Sequence, residues 1–316
     1  MSNKTIAKFW LVVISVTGIV GFTDSCALVS TRGGLPRGGS RFSQPQVIGT
    51  ITSPEITESS GVAASKCQNG VLWTHNDSGD GAFIYALNTS GESLGTWRVE
   101  GAENVDWEDI SLSRDGSGKC FIYIGEIGDN KSRRQNHAIY RVAEPHITPA
   151  AATSTKGQPL STQPAESLEF TYPDYNQDAE TLMVHPQLGT LFVITKRVSG
   201  PAAVYRLDPI FSRSTAQTAQ KVADVSVPAI PNGAITGGDV SPDGRNLVLC
   251  DYRQAYEFTL PMGDDNFDAI WKQTPTTINL GTRKSGEAIG YSLDGTSVFA
   301  TSESRNSPLI QVKRVE

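Results

Sequence analysis

Short apolar segments alternate with polar turns along most of this chain, and one arrangement of them recurs five times. Each repeat begins with acidic or small polar residues, enters an apolar strand, and continues through a polar turn into further short strands. The first strands are anchored by Val62, Ile110, Leu182, Val240 and Ile289. Repeats of roughly 40–50 residues with several short strands are typical of propeller blades. The pattern therefore predicts an all-β, five-bladed β-propeller, with a six-bladed ring as the alternative.

The turns between first and second strands support this interpretation. Asp115-Gly116, Asp243-Gly244 and Asp294-Gly295 occupy the same place in three repeats. Asp-Gly between apolar strands favours a tight hairpin, because glycine readily adopts positive φ. The proline-rich segment 143–166 has no alternating apolar pattern, so it is expected to be a surface insertion and not an additional blade.

The two ends of the repeat array predict how the ring closes. The fifth repeat lacks a fourth strand, whereas the apolar segment 47–51 precedes the first repeat without a partner of its own. Pairing these two would remove exposed sheet edges, which otherwise invite aggregation. We therefore expect residues 46–316 to form a single propeller domain, closed by strand 47–51 in the last blade.

The N-terminus has the pattern of an export signal. Lys4 and Lys8 precede the apolar run 9–22, which is shorter than the roughly 20 residues of a membrane span. Residues 1–27 are predicted to be a signal peptide and 28–45 a flexible leader, so that the protein is secreted or periplasmic. Two alternatives remain open: lipid attachment through Cys26, and an uncleaved signal. Only these would place the protein at a membrane.

Three cysteines follow the predicted signal. Cys67 and Cys120 both precede the second strand of their repeats, and equivalent positions of neighbouring blades lie side by side. A Cys67–Cys120 disulfide is therefore predicted, with two independent thiols as the alternative. Cys250 ends an apolar run and is expected to be a small buried hydrophobic residue.

Composition narrows the range of partners. The 316 residues carry a formal net charge of −6, with 19% charged and 38% hydrophobic residues. The chain contains no run of Lys or Arg, so it lacks the basic surface of a nucleic-acid binder. We expect a monomer that takes a small-molecule ester or a glycan at one end of the propeller axis.

That end, the mouth, is where the first strands begin, and acidic residues are concentrated there. Carboxylates crowded together must be neutralised by a cation, by a shared proton or by basic side chains. Because Ca²⁺ prefers six to eight oxygen ligands, one hypothesis is a Ca²⁺ site. Its predicted ligands are Glu58, Asn76, Asp106 and Asp129. The predicted catalytic residues beside it are His75, Glu108 and Glu180. In the alternative, Lys196, Arg197, Arg253 and Arg305 pair with the acids.

Aromatic, amide and basic residues near the same end are candidates for substrate contact. Trp107 is expected at the surface, because acids flank it on both sides. The full predicted set is Trp107, Asn130, Lys196, Arg197, Tyr252, Arg253 and Arg305. The chain has no G-x-S-x-G, P-loop or H-E-x-x-H motif, which excludes the α/β type of serine hydrolase.

Several segments resemble those of uncharacterised secreted bacterial propeller proteins, over roughly residues 56–305. They are Ser60-Gly61-Val62-Ala63-Ala64-Ser65, Leu72-Trp73-Thr74-His75-Asn76-Asp77-Ser78-Gly79, Val105-Asp106-Trp107-Glu108-Asp109-Ile110, Tyr123-Ile124-Gly125-Glu126-Ile127-Gly128-Asp129-Asn130 and Gly286-Glu287-Ala288-Ile289. More remotely, the acidic strand starts are similar to those of the SdiA-regulated and phytase-like esterase propeller families, which resemble calcium-containing lactonase propellers. The resemblance implies a calcium-dependent esterase or lactonase, although lactonase-type propellers have six blades.

Two functional hypotheses follow. The first is an exported propeller whose acidic axial site, with Ca²⁺ as cofactor, hydrolyses phosphate esters, carboxylic esters or lactones. The second is a non-catalytic propeller that uses the same mouth to bind a glycan, a peptide or an envelope protein. Fold does not distinguish them, because propellers host both kinds of function.

Overall fold

The structure is a computed structural model and describes residues 41–211, 215–228 and 234–315. The predicted signal peptide and most of the predicted leader lie outside the described residues. Among the residues that are described, no helix is long and apolar enough to cross a membrane.

The chain folds into five sheets arranged as a ring, which confirms the five-bladed propeller. The first strand, β1 (Gln46–Thr50), belongs to the last blade. Blade I contains, from the axis outward, β2 (Ser59–Ala64), β3 (Val71–Asn76), β4 (Phe83–Asn88) and β5 (Ser93–Arg98). Blade II contains β6 (Trp107–Arg114), β7 (Cys120–Glu126), β8 (His137–Ala143) and, after the short β9 (Leu160–Ser161), β10 (Glu166–Thr171).

The remaining blades follow the same antiparallel order. Blade III contains β11 (Ala179–Val184), β12 (Leu191–Thr195), β13 (Ala202–Leu207) and, after β14 (Gln217–Thr218), β15 (Gln220–Val225). Blade IV contains β16 (Gly237–Val240), β17 (Asn246–Cys250), β18 (Gln254–Thr259) and β19 (Thr276–Asn279). Blade V contains β20 (Ile289–Tyr291), β21 (Ser297–Ala300) and β22 (Pro308–Lys313).

Ring closure occurs as predicted. β1 pairs antiparallel with β22 and supplies the fourth strand of blade V, with Gln46 opposite Gln311 and Thr50 opposite Pro308. The contact extends further towards the N-terminus than expected, because Phe42 bridges to Arg314 and is only 5% exposed. The end of the predicted leader therefore belongs to the fold: burial of an aromatic side chain fixes it there.

The connection from third to fourth strand reaches back to the preceding blade in blades II, III and IV. In blade II it includes a 3-10 helix, Pro149–Thr153, and β9, which pairs in parallel with β5 of blade I. In blade III, β14 pairs in parallel with β10 of blade II. In blade IV a second 3-10 helix, Phe267–Lys272, packs its aromatic side chains against blade III. The segment 143–166 is thus not an extra blade, as predicted. It is more than a surface insertion, because it connects blade II to blade I through the pairing of β9 with β5.

A disulfide joins Cys67 to Cys120, with their Cα atoms 6.1 Å apart, which confirms the predicted pairing. It connects the turn after β2 to the start of β7 and so fastens blade I to blade II. Cys250 is a free, buried thiol, also as predicted. A disulfide of this kind indicates an oxidising, non-cytoplasmic environment.

Candidate functional site

The mouth of the propeller is built from equivalent positions in the five inner strands. The residues two places before the strand anchors are Ser60, Glu108, Glu180, Gly238 and Glu287, and all five are buried. Their side chains and backbone contact one another around the axis: the Ser60 hydroxyl donates to the Glu108 carbonyl oxygen at 2.8 Å and contacts Glu287 Oε2 at 3.3 Å. The blade symmetry therefore brings three glutamates to one place.

The first carboxylate group in the mouth consists of Asp77, Asp106 and Glu108, and we call it the acidic triad. Each side chain offers one oxygen, and these oxygens lie within 4.8 Å of one another. Glu108 is 2% exposed, whereas the two aspartates are partly exposed, so the triad has a buried floor and an open side. Among the described residues, no Lys or Arg forms an ion pair with any of the three.

Gly128 makes room for the triad. A Cβ at this position would lie 2.1 Å from Glu108 Oε1 and 2.6 Å from Asp106 Oδ2. Its backbone N–H donates to the Asp106 carbonyl oxygen at 3.1 Å, which keeps the second-strand loop of blade II against the start of β6. Only a residue without a side chain allows both carboxylates to rest on this loop.

Crowding raises the pKa values of the triad. Burial, followed by the Asp77 charge, raises the pKa of Asp106 to about 6. The pKa of Glu108 is raised well above its usual value by burial and by the charge of Glu180. Burial also raises the pKa of Asp77. Burial and the neighbouring negative charges therefore disfavour the ionised forms, although the charge of Lys196 opposes this at Asp77 and Glu108, and that of Arg134 opposes it at Asp106.

A second carboxylate group consists of Glu108, Asp178 and Glu180, whose oxygens also lie within 4.8 Å of one another. Here an internal cation is present, because Lys196 Nζ is paired with Glu180 Oε1. Lys196 also lies 5.6 Å from the centre of the Tyr252 ring. Burial raises the pKa of Glu180 to about 7 although Lys196 opposes this shift, and the Glu180 Oε2 atom is buried without a hydrogen-bond partner.

A third group lies on blade V. Glu287 is 5% exposed, Glu303 is partly exposed, and the Ser60 hydroxyl contacts Glu287 Oε2 at 3.3 Å. Burial, followed by the charges of Glu180 and Glu303, raises the pKa of Glu287 to about 9. The pKa of Glu303 is raised as well, chiefly by burial. In the described part of the chain neither carboxylate forms an ion pair.

Tyrosines of the third strands fix the loops of the mouth. The Tyr85 hydroxyl donates to Asp80 at 2.5 Å, that of Tyr205 to Asp174 at 3.3 Å, and that of Tyr256 to Asp251 at 2.7 Å. The same pairing thus recurs in blades I, III and IV, between a buried aromatic residue and a loop carboxylate. This recurring pairing involves residues of the third strands, so it cannot be recognised from the sequence pattern at the starts of the first strands.

Two of the predicted Ca²⁺ ligands already have other partners. Asn76 Oδ1 accepts from the backbone N–H groups of Thr57 and Glu58 at 2.9 and 3.0 Å. The Asp129 carboxylate accepts from the backbone N–H groups of Arg133 and Arg134 at 2.9 and 2.8 Å. Asn76 thus caps backbone donors of the segment that enters β2, and Asp129 caps those of its own loop, so neither side chain joins the carboxylate groups. Of the other predicted ligands, Asp106 belongs to the triad and Glu58 is exposed outside it.

Two predicted side chains lie inside the protein instead of at the mouth. Trp107 is fully buried, which corrects the expected surface position; its indole N–H donates to the Glu103 carbonyl oxygen at 2.9 Å, and flanking acids do not keep so large an apolar ring in water. His75 is also fully buried, 5.9 Å from the Trp107 ring, and burial lowers its pKa to about 4. A neutral imidazole inside the interface between blades has no access to a substrate, which argues against the predicted role as base.

The predicted basic residues divide into two kinds. Lys196 enters the mouth and pairs with Glu180, as the internal-pairing hypothesis expected. Arg197 contacts the Tyr175 hydroxyl at 3.4 Å, and Arg253 and Arg305 are exposed. In the described residues these three arginines pair with no carboxylate, so they do not neutralise the mouth. Tyr252 is 37% exposed, and Asn130 is exposed on the blade II loop.

The structure also brings in residues that were not predicted for the site. Asp77 and Asp178 complete the two carboxylate groups, and Glu287 and Glu303 form the third. Glu287 occupies the same repeat position as Glu108 and Glu180, so alignment of the five strand starts could have identified it. Asp77 and Glu303 follow second strands, in loops that the repeat pattern places at the mouth, but nothing in the sequence distinguished them from the other polar residues there.

Comparison with models of known protein families and with curated proteins finds no match to this chain. The chemistry of the site itself is therefore the basis for assigning a function.

Proposed function

We propose that the acidic triad of Asp77, Asp106 and Glu108 binds a divalent cation, with Ca²⁺ as first choice, and that the cation serves ester hydrolysis at the mouth. The observation that carries this proposal is the triad itself: three carboxylate oxygens within 4.8 Å, without a basic partner in the described residues. Like charges at such distances cannot all ionise unless a cation or protons compensate them.

Neighbouring groups favour a cation at the triad over the other places in the mouth. Lys196 forms an ion pair with Glu180 in the second group, and Glu287 of the third group contacts the Ser60 hydroxyl at 3.3 Å. The triad carboxylates form no ion pair in the described residues: Lys196 and Arg134 act on their pKa values only from a distance, and the two aspartates are partly open to solvent. Hard cations such as Ca²⁺ combine carboxylate ligands with water molecules, so a site with one open side suits them.

A cation bound there would act as a Lewis acid on an ester carbonyl or phosphoryl oxygen. Side chains at the mouth would bind and orient the substrate. Lys196 and Arg197 on blade III, Arg253 on blade IV and Arg305 on blade V lie in the loops that follow second strands, at the same end of the propeller as the triad. An ester carrying a negative charge would meet these cationic groups, while the Tyr252 ring offers an apolar contact.

We also propose that the protein is exported from the cytoplasm. The signal-like residues 1–27 and the Cys67–Cys120 disulfide both support a secreted or periplasmic protein. Extracellular compartments supply Ca²⁺ at concentrations that suit weak sites of this type.

The test is the melting temperature of the protein after chelator treatment and then with added Ca²⁺. A ligand that binds only the folded state adds about 2.7 kcal/mol at a hundredfold excess over its dissociation constant, or about 5 °C for a domain of this size. Glu108→Gln should abolish the rise. Glu169→Gln, which changes an exposed glutamate on β10, is the matched control and should keep it. An equal Ca²⁺ response in Glu108→Gln would exclude the triad.

The Ca²⁺ effect should increase with pH. A carboxyl group whose pKa is raised by folding weakens the folded state as pH rises from its usual pKa towards the raised one, since the disfavoured charged form then appears. Bound Ca²⁺ compensates that charge. With the pKa of Asp106 at about 6, the rise in melting temperature should be small at about pH 5 and full at about pH 8. A rise that is the same at both would contradict a carboxylate site.

A non-catalytic role is the second candidate, and exposed apolar side chains around the mouth favour it. Val105 is 59% exposed, Tyr175 57% and Val198 70%. Exposed apolar side chains in the loops around a polar centre can supply contacts for a bound partner. If Ca²⁺ binds but the protein turns over neither para-nitrophenyl acetate nor para-nitrophenyl phosphate, binding of a glycan, peptide or envelope protein becomes the better assignment.

A further inference from the structure

The seam between blades V and I is covered at its rim by a short turn only. In blades II, III and IV the connection to the outermost strand reaches back over the preceding blade. Phe42 does the same for blade V, because it packs with Val248 and Ile278 of blade IV. In blade I this connection is the turn between β4 and β5, which touches β1 through a backbone hydrogen bond from the Thr50 N–H to the Ser90 carbonyl oxygen at 3.2 Å.

A cleft of about 390 Å³ remains at this seam, and we call it the seam cleft. The turns between first and second strands, 65–70 in blade I and 292–296 in blade V, contribute to its lining, so it lies at the end of the ring opposite the mouth. Gln311 and Lys313 on β22 and Thr89 of blade I complete it. Its volume is within the range of small-molecule sites, about 300–1,000 Å³.

The seam cleft has an apolar floor and polar walls. Val71 and Phe299 line the floor, and both side chains are largely buried, at 8% and 6% exposed. The walls carry hydroxyl, amide, carboxylate and ammonium groups, which belong to Thr89, Asn69, Gln311, Asp294 and Lys313. An apolar surface combined with a few convergent polar groups is the usual construction of a site for a small molecule.

The charged groups of the seam cleft, Asp294 and Lys313, are opposite in sign, and in the described residues they form no ion pair. The Ser292 hydroxyl donates to Asp294 Oδ1 at 2.6 Å and holds the pKa of this carboxyl below its usual value. The Thr296 N–H also donates to Oδ1, at 3.0 Å. An ion attracted by one of the two charges is repelled by the other, so a ligand without net charge suits the cleft best.

Several wall groups have unused capacity for hydrogen bonds. Within the described part of the chain, the side chains of Asn69, Thr89 and Lys313 make no hydrogen bond or ion pair. An amide and a hydroxyl each donate and accept, an ammonium group only donates, and a carboxylate such as Asp294 only accepts. A sugar hydroxyl does both, so adjacent hydroxyl groups of one sugar ring can pair with all of them. The C–H face of such a ring suits the apolar floor.

We propose that the seam cleft binds a neutral saccharide, whose ring lies on the apolar floor and whose hydroxyl groups bond to Asn69, Thr89, Asp294 and Lys313. The proposal does not rest on the proposed function, because the seam cleft lies at the other end of the ring and contains no residue of the acidic triad. A free sugar and the terminal unit of a polysaccharide share this chemistry, and the choice of probes distinguishes them.

Saturation-transfer NMR on the full chain tests the ligand class. The probes are glucose, N-acetylglucosamine and cellohexaose, at neutral pH with a chelator present, so that the result is independent of Ca²⁺. We expect transfer to at least one saccharide. Equal affinity for glucose and cellohexaose would indicate a free sugar, and tighter binding of cellohexaose the end of a polysaccharide. Transfer to none of the three would overturn the proposal, and so would transfer only to alanine, a zwitterion without net charge.

Thr89→Trp tests the location. Thr89 is exposed in its turn, so a tryptophan there should fill the seam cleft without disturbing the fold. The dissociation constant of the saccharide should rise at least about tenfold, because the ring loses its place on the floor. Thr277→Trp changes an exposed threonine on β19 and is the matched control, which should bind as the wild type does. Unchanged binding in Thr89→Trp would locate the saccharide elsewhere and overturn the proposal.

Asn69→Ala provides a second measurement in case Thr89→Trp does not fold. Removing the amide takes away a hydrogen-bond partner of the ligand, so the dissociation constant should rise by about two- to tenfold. Asn130→Ala, which removes an exposed amide from the blade II loop at the mouth, should leave it unchanged. Equal dissociation constants for Asn69→Ala and the wild type would contradict the proposed contacts and overturn the site.

Discussion

At the scale of single residues, the crowded carboxylates of the mouth differ in the groups that lie next to them. Lys196 forms an ion pair with Glu180, Glu287 contacts the Ser60 hydroxyl, and the triad carboxylates form no ion pair in the described residues, which is why we propose a cation there. Glu108, Glu180 and Glu287 occupy the same position in their repeats, so their different chemistry comes from their neighbours and not from their own place in the blade. Burial is the first cause of the raised pKa in all three; the charge of Glu180 comes second for Glu108 and Glu287, whereas the opposing charge of Lys196 comes second for Glu180.

Gly128 provides a sharp test of the triad at this scale. Gly128→Ala would place a methyl group 2.1 Å from Glu108 Oε1, so one carboxylate must move away. We expect the Ca²⁺-dependent rise in melting temperature to be lost, with a modest loss of stability in the protein without Ca²⁺. Calorimetric titration with Ca²⁺ measures the effect directly.

The control for this substitution comes from the same blade. A Cβ at Gly116 would meet no atom within 4 Å, and this glycine does not have positive φ, so Gly116→Ala should bind Ca²⁺ as the wild type does. Normal Ca²⁺ affinity in Gly128→Ala would mean that the cation site does not include Glu108 and Asp106.

At the scale of elements, the blades are fastened to one another at the axis and at the rim. Near the axis, Asp109 of blade II accepts from the Leu182 backbone N–H of blade III at 3.0 Å, and Asp239 of blade IV accepts from the Tyr291 N–H of blade V at 2.9 Å. At the rim, β9, β14 and the helix Phe267–Lys272 each cover the preceding blade. The loops of the mouth are thus carried on neighbouring blades with little freedom to separate.

The Cys67–Cys120 disulfide is a covalent link between blades I and II, and its contribution to the free energy of unfolding can be measured. The two cysteines are 53 residues apart, and closing a loop of this length is expected to add up to about 4 kcal/mol to the free energy of unfolding in the chain-entropy account. Replacing both cysteines by alanine should lower that free energy by about 2–4 kcal/mol in urea denaturation.

Reduction of the wild type with dithiothreitol should reproduce most of the loss, because it opens the same loop without changing the sequence. Cys67→Ser alone should expose the Cys120 thiol to labelling only on unfolding, since Cys120 is 5% exposed. Unaltered stability in the double alanine variant would indicate that the ties at axis and rim already hold blades I and II together.

At the scale of the whole molecule, the ring depends on a strand from the opposite end of the chain. β1 covers the free edge of β22, and Phe42 adds a buried contact beyond it. An uncovered edge strand would present unpaired backbone groups to other molecules. Closure therefore protects the fold and also positions Glu287 of blade V beside Ser60 of blade I.

Truncation tests this dependence. A chain that begins at residue 53, without β1, should self-associate and melt at a lower temperature, as measured by light scattering and circular dichroism. A chain that begins at residue 41 keeps every described contact of β1 and is the matched control. A monomeric, fully stable chain from residue 53 would mean that the ring does not need its closing strand.

The amino-acid sequence by itself determined the architecture. Five acidic strand starts, the Asp-Gly turns and the unpaired segment 47–51 were sufficient for the blades, the closure and the Cys67–Cys120 bridge, because each depends on a local pattern or on the repeat itself. Only the tertiary structure decided the roles of the polar side chains. Asn76 and Asp129 cap backbone donors, and Trp107 and His75 are buried between blades. Those outcomes depend on distances between blades, and so does the triad, which joins Asp77 of blade I to Asp106 and Glu108 of blade II.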